Sequence, residues 1–183
     1  MNPTLQRWLD EMLATGAQQW LLRLLAVGAA LGALLAVGAA SGRWWPFWAV
    51  VVAGLAVASA VRPDAHTALL VPVIVVWSWL ATVDDLDTPW LPFAALSLLV
   101  FHAVIALLAG LPIGGRLPAP ILLRTLGRVG LVAAATVAMW VLVVVLDRRD
   151  AAGNGALTGL GLVIVAGAAA LIRWHSLERP ADR

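Results

Sequence analysis

The stretch from residue 20 to residue 40, WLLRLLAVGAALGALLAVGAA, is a long apolar run with a single charged side chain, Arg23. A helix of about 18 residues or more rises about 27 Å, which is close to the hydrocarbon thickness of a bilayer. Five further apolar runs follow, at residues 44–61, 65–83, 90–111, 128–146 and 157–172. The sequence therefore predicts an all-α polytopic membrane protein, a compact bundle of six transmembrane helices.

The composition of the whole chain agrees with this prediction. The 183 residues are 62% hydrophobic and 12% charged, whereas soluble domains are about half apolar and about a quarter charged. A globule of this size could not bury so much apolar surface, so the lipid bilayer is the expected solvent. The chain contains no cysteine, which excludes disulfides, thiolate catalysis and cysteine-ligated metal sites.

The first 19 residues precede the apolar runs and show a different pattern. Their apolar residues recur at spacings of three and four, which indicates a short amphipathic helix in the membrane interface. These residues are Leu5, Trp8, Leu9, Met12 and Leu13. We therefore divide the chain into an interfacial segment at 1–19, a six-helix transmembrane domain at 20–174 and a cytoplasmic tail at 175–183.

The arginines predict the orientation of these helices. With the N-terminus inside, nine of the 12 basic residues, all arginines, fall on the cytoplasmic side, and only Arg43, Arg148 and Arg149 fall on the outer side. Because cytoplasmic loops of membrane proteins are enriched in basic residues, we expect a multi-pass protein of the cell membrane with both termini in the cytoplasm. The arginines lie at the ends of apolar runs, so their position predicts topology and not nucleic-acid binding.

Three carboxylates lie close together in ATVDDLDTPWLPF, residues 81–93. In the predicted orientation Asp84, Asp85 and Asp87 form an exterior turn, and solvated charges there resist entry into the bilayer. Thr88 and Pro89 form a start signal for the next helix. We interpret the cluster as a hydrated turn; a weak divalent-cation site or a partner-docking site is the alternative.

His102 is an ionisable residue in the middle of the run at 90–111. Its neighbours at helical spacing are small: Ala94, Ala95, Ala106, Ala109 and Gly110. Because small residues allow close helix contacts, we expect His102 to point into the bundle and to form a hydrogen bond with another helix. Intramembrane ionisable residues are also functional candidates, so a proton relay, haem ligation or a substrate contact stays open.

His66 and Asp64 are the other candidate functional residues. Asp64 follows a proline and is a suitable N-cap for the third run, and His66 lies at the same interface. The histidines do not have a metal-ligand spacing, and the chain contains no motif of a metalloprotease, serine hydrolase or phosphate-binding loop. We therefore predict no catalytic residue, no bound metal and no cofactor.

Two further residue patterns are typical of membrane helices. Gly28 and Gly32, Gly38 and Gly42, and Gly155 and Gly159 have the small-xxx-small spacing, which predicts close contacts with a partner helix through the first and sixth runs. The ten tryptophans mostly lie at run ends, as expected of interfacial anchors. A tryptophan-lined ligand pocket is the alternative interpretation of the aromatic residues.

Three segments, RPDAHTALLVPVIVVWSWL, FHAVIAL and LPAPILLRTLGR, carry a family resemblance. The chain resembles uncharacterised small six-span integral membrane proteins of high-GC Gram-positive bacteria, whose genes lie near those of MoxR-type ATPases and membrane-anchored von Willebrand A-domain proteins. The matching positions are Pro63, Asp64, His66, His102, Arg124 and Arg128. The resemblance implies an accessory role in a membrane assembly and assigns no activity to any residue.

The leading functional hypothesis is a non-enzymatic accessory or assembly subunit of a cell-membrane complex. The alternative is a small transport protein, such as a substrate-binding component of an energy-coupling vitamin transporter. Components of that kind also look like compact six-helix proteins with Ala-x-x-x-Ala pairs on the first span. The corresponding pairs here are Ala26/Ala30, Ala29/Ala33 and Ala36/Ala40.

Overall fold

The computed structural model describes residues 16–63, 66–85, 87–111, 115 and 117–147. Within these ranges the chain forms five α-helices and no strand, so the predicted all-α class is confirmed for this part. The helices are α1 (Ala17–Ser41), α2 (Pro46–Val61), α3 (Thr67–Thr82), α4 (Trp90–Ala109) and α5 (Ala119–Asp147). The chain divides into two compact units, Met1–Ala138 and Met139–Arg183; all contacts described below lie in the first.

Three of these helices, α1, α4 and α5, are long and apolar enough to cross a membrane. Helices α2 and α3 are equally apolar but contain only 16 residues each. The predicted count of six spans is therefore not supported by the described part of the chain. The sixth run, at 157–172, and residues 1–15 of the predicted amphipathic segment lie outside the described residues.

The break between α1 and α2 follows from its residues. Gly42 adopts a left-handed conformation with φ of 63° and ends α1, because glycine has no Cβ to oppose that conformation. Pro46 occupies the first position of α2, where its missing N–H group is not needed. The predicted break at SGR is thus confirmed, although α1 already begins at Ala17, within the segment that we had assigned to the interface.

Helix α5 differs from the prediction at its N-terminal end. The sequence analysis expected the fifth span to begin at Arg128, but one continuous helix runs from Ala119. Pro120 lies in its first turn, where proline is tolerated, and no proline follows to interrupt the backbone hydrogen bonds. Arg124 and Arg128 therefore lie one turn apart on the same helix as the apolar residues that follow.

The core of the first unit forms around α1. Four alanines on one side of α1 are completely buried: Ala26, Ala30, Ala33 and Ala36. Helix α4, which has the most extensive contact with α1, contributes larger buried side chains, including Phe101, Val104 and Ile105. Small residues on α1 thus make room for large residues on α4, as expected when two helices approach closely.

Polar side chains join the helices at two places. The buried Ser59 hydroxyl donates a hydrogen bond to the Leu55 carbonyl at 2.7 Å and lies 3.3 Å from the Thr67 hydroxyl, which links α2 to α3. The Gln18 side chain accepts a hydrogen bond from the Leu117 amide at 3.1 Å. The neighbouring Gln19 side chain donates to the Gly115 carbonyl at 3.3 Å. These bonds attach the segment before α5 to the start of α1.

Candidate functional site

His102 does not point into the helix bundle. It is exposed, as are Ala106 and Ala109 on the same side of α4, whereas Phe101 is buried. The predicted inward orientation is therefore wrong. The physical reason is that α1 already supplies small residues for this contact, so around His102 helix α4 packs through larger side chains such as Phe101 and leaves Ala106 and Ala109 outside.

The other two candidates lie at the start of α3. His66 immediately precedes the helix, its side chain is exposed, and its carbonyl accepts a hydrogen bond from the Leu69 amide at 3.1 Å. Asp64 lies outside the described residues, so its predicted capping role stays a prediction. Among the residues that the structure describes, no group of three or more His, Cys, Asp or Glu could hold a metal ion.

The acidic turn precedes α4. Asp84 and Asp85 are exposed, and the Asp85 carboxylate accepts a hydrogen bond from the Asp87 amide at 2.8 Å. The Thr88 hydroxyl accepts a weaker bond from the Trp90 amide at 3.4 Å, in agreement with the predicted start signal. Because Asp84 and Asp85 are exposed to solvent, the turn geometry fits a hydrated connection.

A cavity of about 340 Å³ lies where the end of α1, the start of α2 and the second half of α3 meet. This volume falls near the lower end of the range for ligand pockets, roughly 300–1,000 Å³. Its aromatic lining consists of Trp44, Trp45, Trp48 and Trp77. This is the strongest candidate site in the described part of the chain.

The shape of the cavity depends on Gly38 in α1. The ring of Trp44 packs so closely against this glycine that an added Cβ would lie 3.0 Å from the Trp44 Cε3 atom. Trp48 is held from the other side by Phe47, in an edge-to-face contact with ring centres 5.4 Å apart. The turn from Ser41 to Pro46 thus positions the indole rings of Trp44 and Trp48 where α1 ends and α2 begins.

The lining of the cavity also includes polar residues. Arg43 lies in the turn after α1, and Ser78 and Thr82 lie one helical turn apart on α3. The Thr82 hydroxyl donates to the Ser78 carbonyl at 2.7 Å. Within the described residues, the Ser78 hydroxyl forms no hydrogen bond, and the Arg43 guanidinium forms no ion pair. The Arg43 cation and the Ser78 hydroxyl are therefore available beside an aromatic surface.

The sequence analysis did not identify these residues as one site. The tryptophans were interpreted mainly as interfacial anchors and Arg43 as a topological charge. The signal that could have found the site is that SGRWWPFW, at residues 41–48, and WSWLAT, at residues 77–82, lie at the same end of an up-and-down arrangement of α1, α2 and α3. An antiparallel helix pair brings such ends together.

Comparison with known proteins adds no assignment to this site. No protein-family model, no curated protein and no solved structure matches the chain. The resemblance to small six-span membrane proteins therefore stays a prediction from the quoted motifs. Any functional conclusion depends on the chemistry of the helices and of the cavity.

Proposed function

We propose that the chain is an integral membrane protein whose helices α1 to α5 all cross the bilayer. The observation that supports this proposal is the apolar outer side of α3. Its exposed residues are Leu69, Val73, Val76, Trp77 and Leu80, and the last is 73% exposed. Contiguous apolar surface of this kind is unfavourable in water and favourable against lipid.

The two 16-residue helices require a further argument. Each rises about 24 Å, a few ångströms less than a typical hydrocarbon core. Local thinning and interfacial side chains accommodate such a mismatch, and the ends of α2 carry tryptophan and arginine. With a sixth span from residues 157–172, both termini lie in the cytoplasm of the proposed topology.

The topology is tested by reporter fusions placed after residues 86, 116 and 152. We expect the reporters to lie outside, inside and outside, respectively. A reporter after residue 116 that lies outside contradicts the orientation. A soluble, uninserted product contradicts membrane insertion altogether.

The proposed role is a non-enzymatic accessory or assembly subunit of a cell-membrane complex. Gly28 supports this role because the space beside it is open, whereas Gly32 lies close to Ser97 of α4. Gly28 lies on the side of α1 that exposes Leu21, Leu24 and Leu25. A glycine on an exposed apolar side allows a helix of another protein to approach.

Purification in mild detergent, followed by identification of associated proteins, tests this role. We expect a stoichiometric membrane-protein partner that is lost from the Gly28→Leu variant. Gly54→Leu is the matched control, because Gly54 is also exposed on a helix with open space beside it. Purification of the chain alone, or retention of the partner by Gly28→Leu, contradicts the proposal.

A small transport component is the second candidate, and the tryptophan-lined cavity favours it. Arg43, Ser78 and Thr82 add polar groups to the lining of this cavity, and a few such groups are what fixes a ligand in an otherwise apolar pocket. A soluble metabolite retained through purification of the protein supports transport. A partner protein without a retained metabolite supports the accessory role.

A further inference from the structure

We propose that the cavity formed by the ends of α1, α2 and α3 binds the headgroup region of an anionic membrane lipid, with its phosphate paired to Arg43. This inference depends on the proposed membrane insertion and goes beyond the proposed accessory role. It assigns a ligand class to Arg43 and to the tryptophans around it.

The positive charge of the residues that line the cavity favours a negatively charged ligand. Arg43 lines the cavity, whereas none of the carboxylates of the acidic turn does. A guanidinium group presents several N–H donors in a fixed plane, which matches the oxygens of a phosphate group. Since the Arg43 guanidinium forms no ion pair with a described residue, it is available for an anion.

The hydroxyl groups of α3 extend this polar surface. Ser78 and Thr82 line the same cavity as Arg43. The Ser78 hydroxyl has no hydrogen-bond partner among the described residues, and the Thr82 hydroxyl still has its acceptor capacity after donating to the Ser78 carbonyl. A hydroxyl is both donor and acceptor, so these groups suit the phosphate and glycerol oxygens of a lipid headgroup.

The aromatic lining indicates a lipid and not a free anion. Trp77 belongs to the cavity lining and is 70% exposed, and Val73 and Leu80, four residues before it and three after it, are exposed on the same side of α3. The cavity wall is thus continuous with the apolar side of α3. Acyl chains of a lipid can lie along that side while the headgroup remains at the level of the indole rings.

A headgroup that carries a quaternary ammonium group is the competing ligand, and the acidic turn by itself would favour it. Tryptophan faces also attract quaternary ammonium groups, and Asp84 and Asp85 follow Thr82 closely in sequence. However, the charged residue among those that line the cavity is Arg43, and its positive charge repels a cation. In this arrangement the carboxylates of Asp84 and Asp85 weaken the binding of an anion from a greater distance. Removing their charges should therefore strengthen the binding of an anionic headgroup and weaken the binding of a cationic one.

The proposal is tested by native mass spectrometry of the full chain in detergent, with phosphatidylglycerol or phosphatidylcholine of identical acyl chains. We expect phosphatidylglycerol to bind more tightly, and Arg43→Gln to weaken its binding about tenfold, as for the loss of one charged hydrogen-bonding group. Arg62→Gln is the control for the loss of one exposed positive charge, because Arg62 is exposed at a helix end but does not line the cavity.

The double variant Asp84→Asn/Asp85→Asn provides an independent readout with the opposite sign. We expect it to bind phosphatidylglycerol more tightly than the unmodified protein. Weaker lipid binding by this variant, or tighter binding of phosphatidylcholine, overturns the proposal in favour of a cationic headgroup. If Arg43→Gln and Arg62→Gln weaken phosphatidylglycerol binding equally, the lipid is attracted to arginines in general, and the proposed cavity site is overturned.

Glycerol 3-phosphate distinguishes a lipid from a soluble anion. We expect it to compete poorly with phosphatidylglycerol, because it lacks the acyl chains that contact the side of α3. If glycerol 3-phosphate displaces phosphatidylglycerol at a comparable concentration, the assignment to a lipid is overturned. A protein that inserts into membranes but shows no lipid preference disproves this inference alone, whereas a protein that fails to insert disproves the proposed function.

Discussion

Trp44 packs directly against the backbone of Gly38, and a methyl group on that glycine would lie 3.0 Å from the indole ring. This contact joins the end of α1 to the turn that carries Arg43. It also defines one wall of the cavity at the ends of α1, α2 and α3. The backbone of α1 therefore helps to set both the fold and the proposed lipid site.

We expect Gly38→Ala to weaken phosphatidylglycerol binding while changing the stability by less than about 1 kcal/mol. The added methyl group displaces the 59% exposed ring of Trp44, and the gain in helix propensity, about 1 kcal/mol at most, offsets the strain. Gly28→Ala is the control, since nothing lies within 4 Å of its added Cβ. Equal lipid binding by the two variants contradicts a role for the Trp44 wall.

We expect Gly32→Leu to destabilise the protein by about 1–3 kcal/mol, as for other overpacked contacts. An added Cβ at Gly32 already lies 3.4 Å from the Ser97 hydroxyl oxygen of α4, so a leucine must push the two helices apart. The measurement is unfolding in mixed micelles. Gly28→Leu serves as the control, and a similar loss in both variants shows that the contact between α1 and α4 is not the cause.

We expect Trp79→Phe to leave stability nearly unchanged and Trp79→Ala to lower it by about 3–5 kcal/mol. Trp79 is 6% exposed and packs in a cluster with Ala33, Val75 and Ala94, but its indole N–H has no hydrogen-bond partner within the described residues. Removing the N–H therefore sacrifices no hydrogen bond. A large loss of unfolding free energy in the phenylalanine variant shows that the N–H group has a partner.

We expect His102→Leu to leave stability unchanged or slightly increased. The sequence analysis predicted a hydrogen bond from His102 to another helix, which would contribute about 1–2 kcal/mol, but His102 is exposed on α4. Against lipid, leucine is the more favourable side chain. If the free energy of unfolding in mixed micelles falls by about 1 kcal/mol or more, His102 has a structural role after all.

The sequence predicted the helical class and the breaks before α2 and α4 because these depend on local chemistry, whereas the predicted starts of α1 and α5 were wrong. Apolar runs, Gly42 and the Thr88–Pro89 pair each act within a few residues. The orientation of His102 depends instead on which helix supplies the small residues of a contact. Ala26, Ala30 and Ala33 of α1 do so here, and the small residues near His102 on α4 gave no information about that choice.

The cavity was missed for a related reason. Trp44 and Trp45 are separated from Trp77 by the whole of α2 and half of α3, so only tertiary packing places them together. Interfacial anchoring explained each tryptophan separately, and Arg43 was counted only as a topological charge. Such a site is identified only when residues at the same end of neighbouring antiparallel helices are considered together.

The membrane-spanning arrangement is tested most directly by cysteine labelling, which has no background because the natural chain contains no cysteine. Arg62→Cys, in the segment between α2 and α3, and Asp84→Cys, just after α3, place single thiols before and after this helix. Each variant is treated with a membrane-impermeant maleimide in intact cells. We expect residue 84 to react in intact cells and residue 62 to react only after the membrane is permeabilised. Equal reaction of both residues in intact cells contradicts the account, because α3 then does not cross the membrane.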